Sequence, residues 1–325
     1  MAKTAFVLGG TGQIGRAVTK RLAEGGWDVV IAARTHERLT PELRELATFV
    51  ELDREKALDL PRAFDAFIDV VPYTRAHAEQ LLRLEVGSIV AVSTASVYVD
   101  EGGRSLDEAT DEESFPEFPV PIPETQATVE PGDATYSTQK VAMERTLLEQ
   151  DHVPATIVRP GAIHGPGDSF TREWYFVKRV LDGRRVILLA HRGASRFHTS
   201  SAPNVAELIR ASLERPGWRV LNCGDPDPPS VLEISRAIAR EFGHDWTEHL
   251  VPGREIGTNP WAVPRPVILD TSLAERDVGY RPVVSYQAAV VETCRWLVDV
   301  RPPLGDYMER FFDYETEDRF LGVAP

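Results

Sequence analysis

The sequence is short of lysine, of cysteine and of long apolar runs, and each shortage excludes something. Only Lys3, Lys20, Lys56, Lys140 and Lys178 occur among 36 basic residues, and the net charge is −14. A chain so acidic lacks the basic footprint that a nucleic-acid partner requires. The two cysteines, Cys223 and Cys294, stand far apart and form no CxxC or other metal-binding spacing. They read as buried free thiols, as expected of a protein kept in a reducing cytoplasm. No stretch approaches the roughly 18 uninterrupted apolar residues of a membrane span. The opening residues, Met1 to Leu8, lack the apolar run and small-residue cleavage site of a secretion signal. What is present is an ordinary soluble composition, 42% apolar and 26% charged over 325 residues. That length can bury a large core, in one big domain or two medium ones.

Strand and helix patterns alternate through the first half. Thr4–Leu8, Trp27–Ala33, Thr48–Leu52, Phe67–Val71 and Ser88–Ser93 are short apolar runs that predict strands. Between them, the spacing of Ile14, Val18 and Leu22 predicts a helix, as do Pro41–Leu46 and Ala76–Leu84. Strands that are apolar throughout and separated by helices imply a parallel sheet covered on both faces. The fold class is therefore α/β, a doubly wound parallel sheet of the Rossmann kind. Residues Asp100 to Ala134 break the rhythm. They are rich in proline and acids, with Arg104 as the sole positive charge, and read as a solvated surface loop. Regularity resumes with a helix over Ser137–Glu149 and a strand over Ala155–Arg159. Later elements are expected at Trp174–Leu181, Val186–Ala190, Asn204–Leu213, Trp218–Asn222 and Val231–Phe242, with a last helix over Ser285–Val298.

The turn after the first strand reads Gly9-Gly10-Thr11-Gly12-Gln13-Ile14-Gly15. Gly9 permits a tight turn, Gly12 lets backbone approach a pyrophosphate, and Gly15 lets helix and strand pack closely. The helix that follows offers unpaired N–H groups and a positive dipole end. Strand, turn, helix and second strand at this spacing predict a dinucleotide site, not merely a glycine-rich turn. An acid at the end of the second strand would favour NAD by accepting from the adenosine ribose. This chain has Ala33-Arg34-Thr35 there, with Arg38 nearby. A guanidinium suits a 2′-phosphate, so NADP is expected in preference to NAD. Asp53, after the third strand, is placed to hold the adenine amino group. The dinucleotide-binding domain is expected over residues 1–165, with 196–225 returning to it. Residues 166–195 and 226–325 are left for a smaller, mostly C-terminal substrate-binding region.

Tyr136-Ser137-Thr138-Gln139-Lys140 puts a tyrosine and a lysine on one helix face, about one turn apart. A nearby ammonium lowers a tyrosine's pKa from its reference near 10, and such a phenol can exchange a proton with a carbinol. At the end of the fifth strand, Ser93, Thr94 and Ser96 bring hydroxyls to the edge where open α/β sheets bind ligands. Thr94 or Ser93 is placed to hydrogen-bond the reacting oxygen.

With these residues the chain resembles the short-chain dehydrogenase/reductase superfamily, in its extended branch of NAD(P)-dependent epimerases and dehydratases. Further motifs carry the likeness: Arg159-Pro160-Gly161 followed by Gly165-Pro166-Gly167-Asp168, Leu221-Asn222-Cys223-Gly224-Asp225, and Asp270-Thr271-Ser272-Leu273-Ala274 before Gly279-Tyr280-Arg281-Pro282. The resemblance implies hydride transfer at a secondary alcohol or ketone. Tyr136 would be the acid/base, Thr94 would polarise the substrate oxygen, and Lys140 would hold the nicotinamide ribose. It also implies a possible homodimer, formed through helices that include the Tyr136 helix. Two departures stand out: Asp69-Val70-Val71-Pro72-Tyr73 leads into a helix without the usual asparagine, and Ala202-Pro203-Asn204-Val205-Ala206 replaces a Val-Asp-Asp-Val-Ala motif. Both look more like an atypical subgroup with isoflavone-reductase-like, sugar-dehydratase-like and plastid RNA-binding members.

A nucleotide-sugar substrate would need arginines for its diphosphate, and Arg192, Arg196 and Arg265 are available. Ser96, His164 and Arg196 are the candidate substrate contacts, although His164 reads more readily as a hydrogen-bonded structural histidine. Trp174, Tyr175 and Phe176 read as core more readily than as a pocket wall. His244 and His249 lack the spacing and third ligand of a zinc site. Alternative readings are a nucleotide-sugar 4-epimerase or a dehydratase. In another class stands a non-catalytic NADP-sensing or RNA-binding protein, against which the acidic charge argues.

Overall fold

The alternation expected of the first half is realised in the computed structural model, which describes residues 2–322 apart from Ala57, Asp59 and Pro61. Thr4–Leu8 (β1), Gln13–Glu24 (α1), Asp28–Ala33 (β2), Pro41–Leu46 (α2) and Thr48–Glu51 (β3) come first. Ala66–Asp69 (β4), Arg75–Leu81 (α3), Ile89–Val92 (β5), Tyr136–Leu148 (α4) and Ala155–Pro160 (β6) follow. Next are Ala162–His164 (β7), Trp174–Leu181 (α5), Val186–Leu189 (β8), Thr199–Ser201 (β9), Ala202–Glu214 (α6) and Arg219–Cys223 (β10). Val231–Glu241 (α7), Thr247–Leu250 (β11), Ser272–Val278 (α8), Tyr286–Val300 (α9), Asp306–Glu309 (α10) and Tyr314–Leu321 (α11) complete the chain.

Seven strands form one parallel sheet in the order β10-β6-β5-β4-β1-β2-β3. The alternation of side chains along each strand supplies two apolar faces. On one face Val7, Ile31 and Ile68 meet Val18 and Leu22 of α1 and Val205 of α6. On the other, Phe6, Phe67 and Ala91 meet Leu81 of α3 and Met143 and Leu147 of α4. Emptying one of these positions, as in Phe67→Ala, costs about 3–5 kcal/mol because the walls relax only partly. From β1 the chain winds outward through β2 and β3, then returns to β1's other side as β4. The carboxyl ends of β1 and β4 therefore diverge into a crevice, the switch point where such sheets bind ligands.

A second apolar cluster joins Trp174, Tyr175 and Phe176 with α7, Trp261, α9, Met308 and Phe311. The three aromatics of α5 are core, as their density suggested. The tail, whose packing the sequence left open, closes this cluster: Arg179 is buried, bonds the Phe311 carbonyl at 2.7 Å and pairs with Glu317 of α11. The last helix is thus α11, beyond the predicted one. Its residues are mostly polar because it buries little besides Glu317.

The segment from Asp100 to Ala134 corrects the sequence reading most. It is docked, not freely solvated. Phe115, Phe118 and Ile122 are buried against Tyr98, Val263, Val267 and Leu269. Ile122 forms a bridge with Leu269, Tyr98 forms one with Thr128, and Arg265 donates to the Glu112 and Phe115 carbonyls at 2.7 Å. Spaced apolar residues hidden between acids and prolines anchor it on both sides. Among the described residues no helix is long and apolar enough to cross a membrane, and no cluster of His, Cys, Asp and Glu is arranged to hold a metal.

Candidate active site

The glycine turn closes β1 onto α1. Gly9 takes φ +87°, and a Cβ at Gly15 would lie 2.2 Å from the Gly9 carbonyl oxygen, so the helix start can approach only without a side chain. Gly12 differs. A Cβ there would meet only the Gly9 carbonyl oxygen, at 3.3 Å, so position 12 opens to the crevice. Gly12 also begins α1 without any side-chain cap, which leaves the first helical N–H groups for a ligand. The crevice, about 620 Å³, runs from Gly9, Thr11 and Gly12 past Arg34 and Arg38 to Asp53 and Arg54. An open cradle at Gly12 and a cleft of this size fit the pyrophosphate and adenosine of a dinucleotide. Ile14 turns into the core instead. Gln13 donates to the Gly165 carbonyl at 3.1 Å and ties the second glycine-rich loop to the first.

Apart from that crevice's lining, near the carboxyl end of β5, Tyr136 is the first residue of α4. Thr135 and Thr138 cap that helix reciprocally, and Asp107 accepts the Ser137 N–H at 2.9 Å. The Tyr136 ring, 41% exposed, leans on Tyr73 with centroids 5.5 Å apart. Thr94 follows β5. Its hydroxyl accepts the Ser96 N–H at 3.1 Å, donates to Ser96 Oγ at 3.2 Å, and acts on the Tyr136 phenol. Ser93, the other candidate hydroxyl, is buried.

The expected tuning of Tyr136 by Lys140 is not what this arrangement does. Crowding pushes the Tyr136 pKa up to about 12, against the pull of Thr94, and nearby Tyr73 and Asp107 add to the rise. The Lys140 ammonium lies 5.6 Å from the ring centroid and is committed elsewhere. It donates to the Pro72 carbonyl at 2.6 Å and the Val92 carbonyl at 3.0 Å. Burial pushes Lys140 down to about 8, while the charges of Asp69 and Glu144 pull it back up. A phenol kept protonated beside a hydroxyl is arranged to hydrogen-bond, and donate a proton to, an oxygen held between them.

Behind Lys140 lies a buried ion pair absent from the sequence reading. Asp69, at the end of β4, has no exposure, and Arg54 reaches it from beyond β3 with 3.0 and 3.1 Å contacts. Burial pushes the Asp69 carboxyl up, and Arg54 holds it down. His77 of α3 accepts the Tyr73 N–H at 3.0 Å, fixing the backbone that carries Tyr73.

The substrate-side candidates scatter. Ser96 stays beside Thr94, and its carbonyl accepts from Ser137 at 3.0 Å. His164 is fully buried, bonds Asp225 at 2.7 Å and packs on Tyr286. Burial disfavours its charge, but the Asp225 bond and the charges of Asp225, Glu173 and Asp168 outweigh this and raise its pKa. It is a hydrogen-bonded structural histidine at the end of β7. Arg196 is exposed and turned to the Pro228 carbonyl, 2.9 Å, and to Glu233, 3.7 Å. Arg265 is spent on the acidic segment, and Arg192 is exposed in a left-handed turn.

Tyr73, Asp107, Arg54 and Asp69 are the site residues that sequence reasoning missed. Two of them left a signal: an acid ending an otherwise apolar strand (Asp69) and an arginine directly after Asp53. Asp107 left none, because thirty residues separate it from the helix it caps.

A dTDP-4-dehydro-6-deoxy-D-allose reductase from Streptomyces sp is 29% identical over 161 residues, 47% of this chain and 46% of that protein. The chain thus spans about half the length of the curated relatives it matches. Among solved structures, the UDP-glucose 4-epimerase of Thermotoga maritima with UDP-glucose overlays with a TM-score of 0.66 at 18% identity, covering 92% of this chain and 100% of that one. The UDP-glucuronic acid 4-epimerase of Bacillus cereus in complex with UDP-glucuronic acid and NAD gives 0.64 at 17%, covering 91% and 99%. These likenesses concern the fold. Residues 5–224 match the NAD dependent epimerase/dehydratase family, and the chain belongs to that family.

Proposed function

We propose that this protein is an NADP-dependent oxidoreductase acting at a ketone or secondary alcohol, with Tyr136 as the proton donor and acceptor. The observation that carries this reading is the seating of α4 on the turn after β5, where the Ser137 hydroxyl donates to the Ser96 carbonyl at 3.0 Å and brings Tyr136 to the Thr94 edge, with the Lys140 ammonium 5.6 Å from the Tyr136 ring. The bound dinucleotide supplies or accepts the hydride. Thr94 hydrogen-bonds the substrate oxygen and Ser96 keeps that hydroxyl aimed. Tyr136, whose phenol stays protonated at neutral pH in the free protein, is poised for carbonyl reduction. Lys140 holds the nicotinamide ribose. Arg34 and Arg38 favour a 2′-phosphate, and Asp53 the adenine. The sheet and its helices, residues 1–165 and 196–225, serve the dinucleotide; the cluster built on α5, α7 and α9 belongs to the substrate-binding region. The substrate is a small molecule, and a homodimer through α4 remains part of this reading.

A 4-epimerase acting on a nucleotide sugar is the second reading, and the family's name supports it. A dehydratase has less support, because Thr94 is followed by Ala95-Ser96, with no acid. Consumption of NADPH with a panel of ketones tests the first reading. Tyr136→Phe should lower turnover about 10²- to 10⁴-fold while dinucleotide affinity holds. Unchanged turnover in that variant would end the assignment. Retention of the dinucleotide through turnover, with no net oxidation, would favour the epimerase.

A further inference from the structure

Arg54 follows Asp53 at the end of β3, yet its side chain runs back across the switch point to Asp69. One nitrogen makes all its hydrogen bonds: Nη1 donates to Asp69 Oδ1 at 3.1 Å and to the Val71 carbonyl at 2.8 Å. Nε and Nη2 are buried and have no partner. Arg54 is only 9% exposed, and it lines the crevice beside Gly9, whose wall is Val71. A guanidinium with two desolvated, unpaired donors is unfavourable unless a ligand supplies acceptors. A phosphate diester oxygen at the glycine turn is such an acceptor, and a guanidinium fork matches it.

Asp69 faces the other way along the same row. It pairs with Ala91 in the β4–β5 ladder, one residue before Val92, whose carbonyl Lys140 holds. Its Oδ2 has no hydrogen bond although Arg54 Nη1 lies 3.0 Å away. A carboxylate without exposure must be matched by cations. Arg54 stands on one side and the caged Lys140 ammonium on the other, and Glu144 of α4 is the remaining charge that faces Lys140. The three side chains form a buried row of alternating charge from the crevice to the base of α4.

We propose that Arg54 is a phosphate ligand of the dinucleotide, and that Asp69 is the positioning residue that serves as counter-ion of Lys140. The proposal rests on the reading that a dinucleotide fills this crevice. It explains why this chain keeps a buried ion pair at the switch point.

Calorimetry with NAD⁺ and NADP⁺ on the full chain tests the first half. Arg54→Gln should weaken both dinucleotides at least tenfold and equally, since the pyrophosphate is common to both; Arg54→Lys should restore part of the loss. Asp69→Asn, isosteric, should leave affinity within about threefold, which separates phosphate binding from the mere holding of Asp69. The second half is read without turnover. With five lysines, ¹³Cε-lysine NMR resolves Lys140, assigned through Lys140→Arg. Asp69→Asn should move its titration down by a unit or more, and Arg54→Gln should move it up. Dinucleotide affinity unchanged in Arg54→Gln, or a Lys140 titration unmoved in Asp69→Asn, overturns the proposal while leaving the functional reading intact. Wild-type protein that binds neither dinucleotide overturns both.

Discussion

The crevice at the glycine turn and the surroundings of Tyr136 differ in charge. The crevice mixes Arg34, Arg38 and Arg54 with Glu37, Asp53 and Glu55. Around Tyr136 stands the segment 100–134, with eleven acidic residues against one arginine. Asp107 touches the start of α4, and Glu112 sits 3.7 Å from His191 on the facing turn. A low-dielectric cleft focuses such fields. One region therefore offers charges of both signs while the other is acidic, so dinucleotide affinity and substrate choice can be altered separately.

The sharpest way to break the comparison is to block the glycine-turn crevice without touching the charges. Gly12→Val places a side chain where only the crevice lies, in an extended backbone conformation that any residue adopts (φ −79°). Dinucleotide affinity should fall roughly 100-fold or more, about 2.7 kcal/mol, with the melting temperature nearly unchanged. A large drop in melting temperature would mean that Gly12 serves packing. Arg34→Asp comes next. NADP⁺ affinity should fall about 10- to 100-fold in calorimetry while NAD⁺ affinity barely moves; equal affinities in the wild type would remove the role given to Arg34.

The titration of Lys140 supplies the third test. Its ammonium persists below about 8 and is lost as pH rises through that value. In Michaelis–Menten profiles, kcat/KM should decline above that pH about tenfold per unit, the limiting slope for one required proton. Asp69→Asn should carry this limb to lower pH. The smallest effect belongs to the acidic surroundings of Tyr136. Asp107→Asn should move the Tyr136 titration down from about 12, read as tyrosinate absorbance against Tyr136→Phe. Turnover should change only about two- to fivefold, because an exposed charge is well screened.

Much of this was legible in the sequence because it is local. The glycine turn, the Tyr136/Lys140 spacing and the apolar strands each obey a short-range rule, and they lie close to where those rules put them. Arg34 and Asp53 line the crevice because strand ends in a parallel sheet share one edge. What was not legible involves distance. Asp225, the partner of His164, lies 61 residues on. The acidic segment seemed solvated because its three apolar anchors are scattered and their partners, Val263 to Leu269, come much later. The tuning of Tyr136 failed for a subtler reason. Helical spacing places a lysine near a tyrosine, but the ammonium chooses among all acceptors in reach, and two strand-end carbonyls win.

The double anchoring of segment 100–134 has a consequence for how such a protein changes. One continuous stretch is stitched to Tyr98 at Thr128 and to the later chain at Ile122 and Arg265. It carries eleven acidic residues but no strand of the sheet. Insertions or deletions within its exposed stretches can redraw the opening while the dinucleotide machinery is left untouched. What enters the site can therefore drift through lineages faster than the chemistry performed there, and a graft of this stretch from a relative is the natural unit for moving one specificity onto another frame.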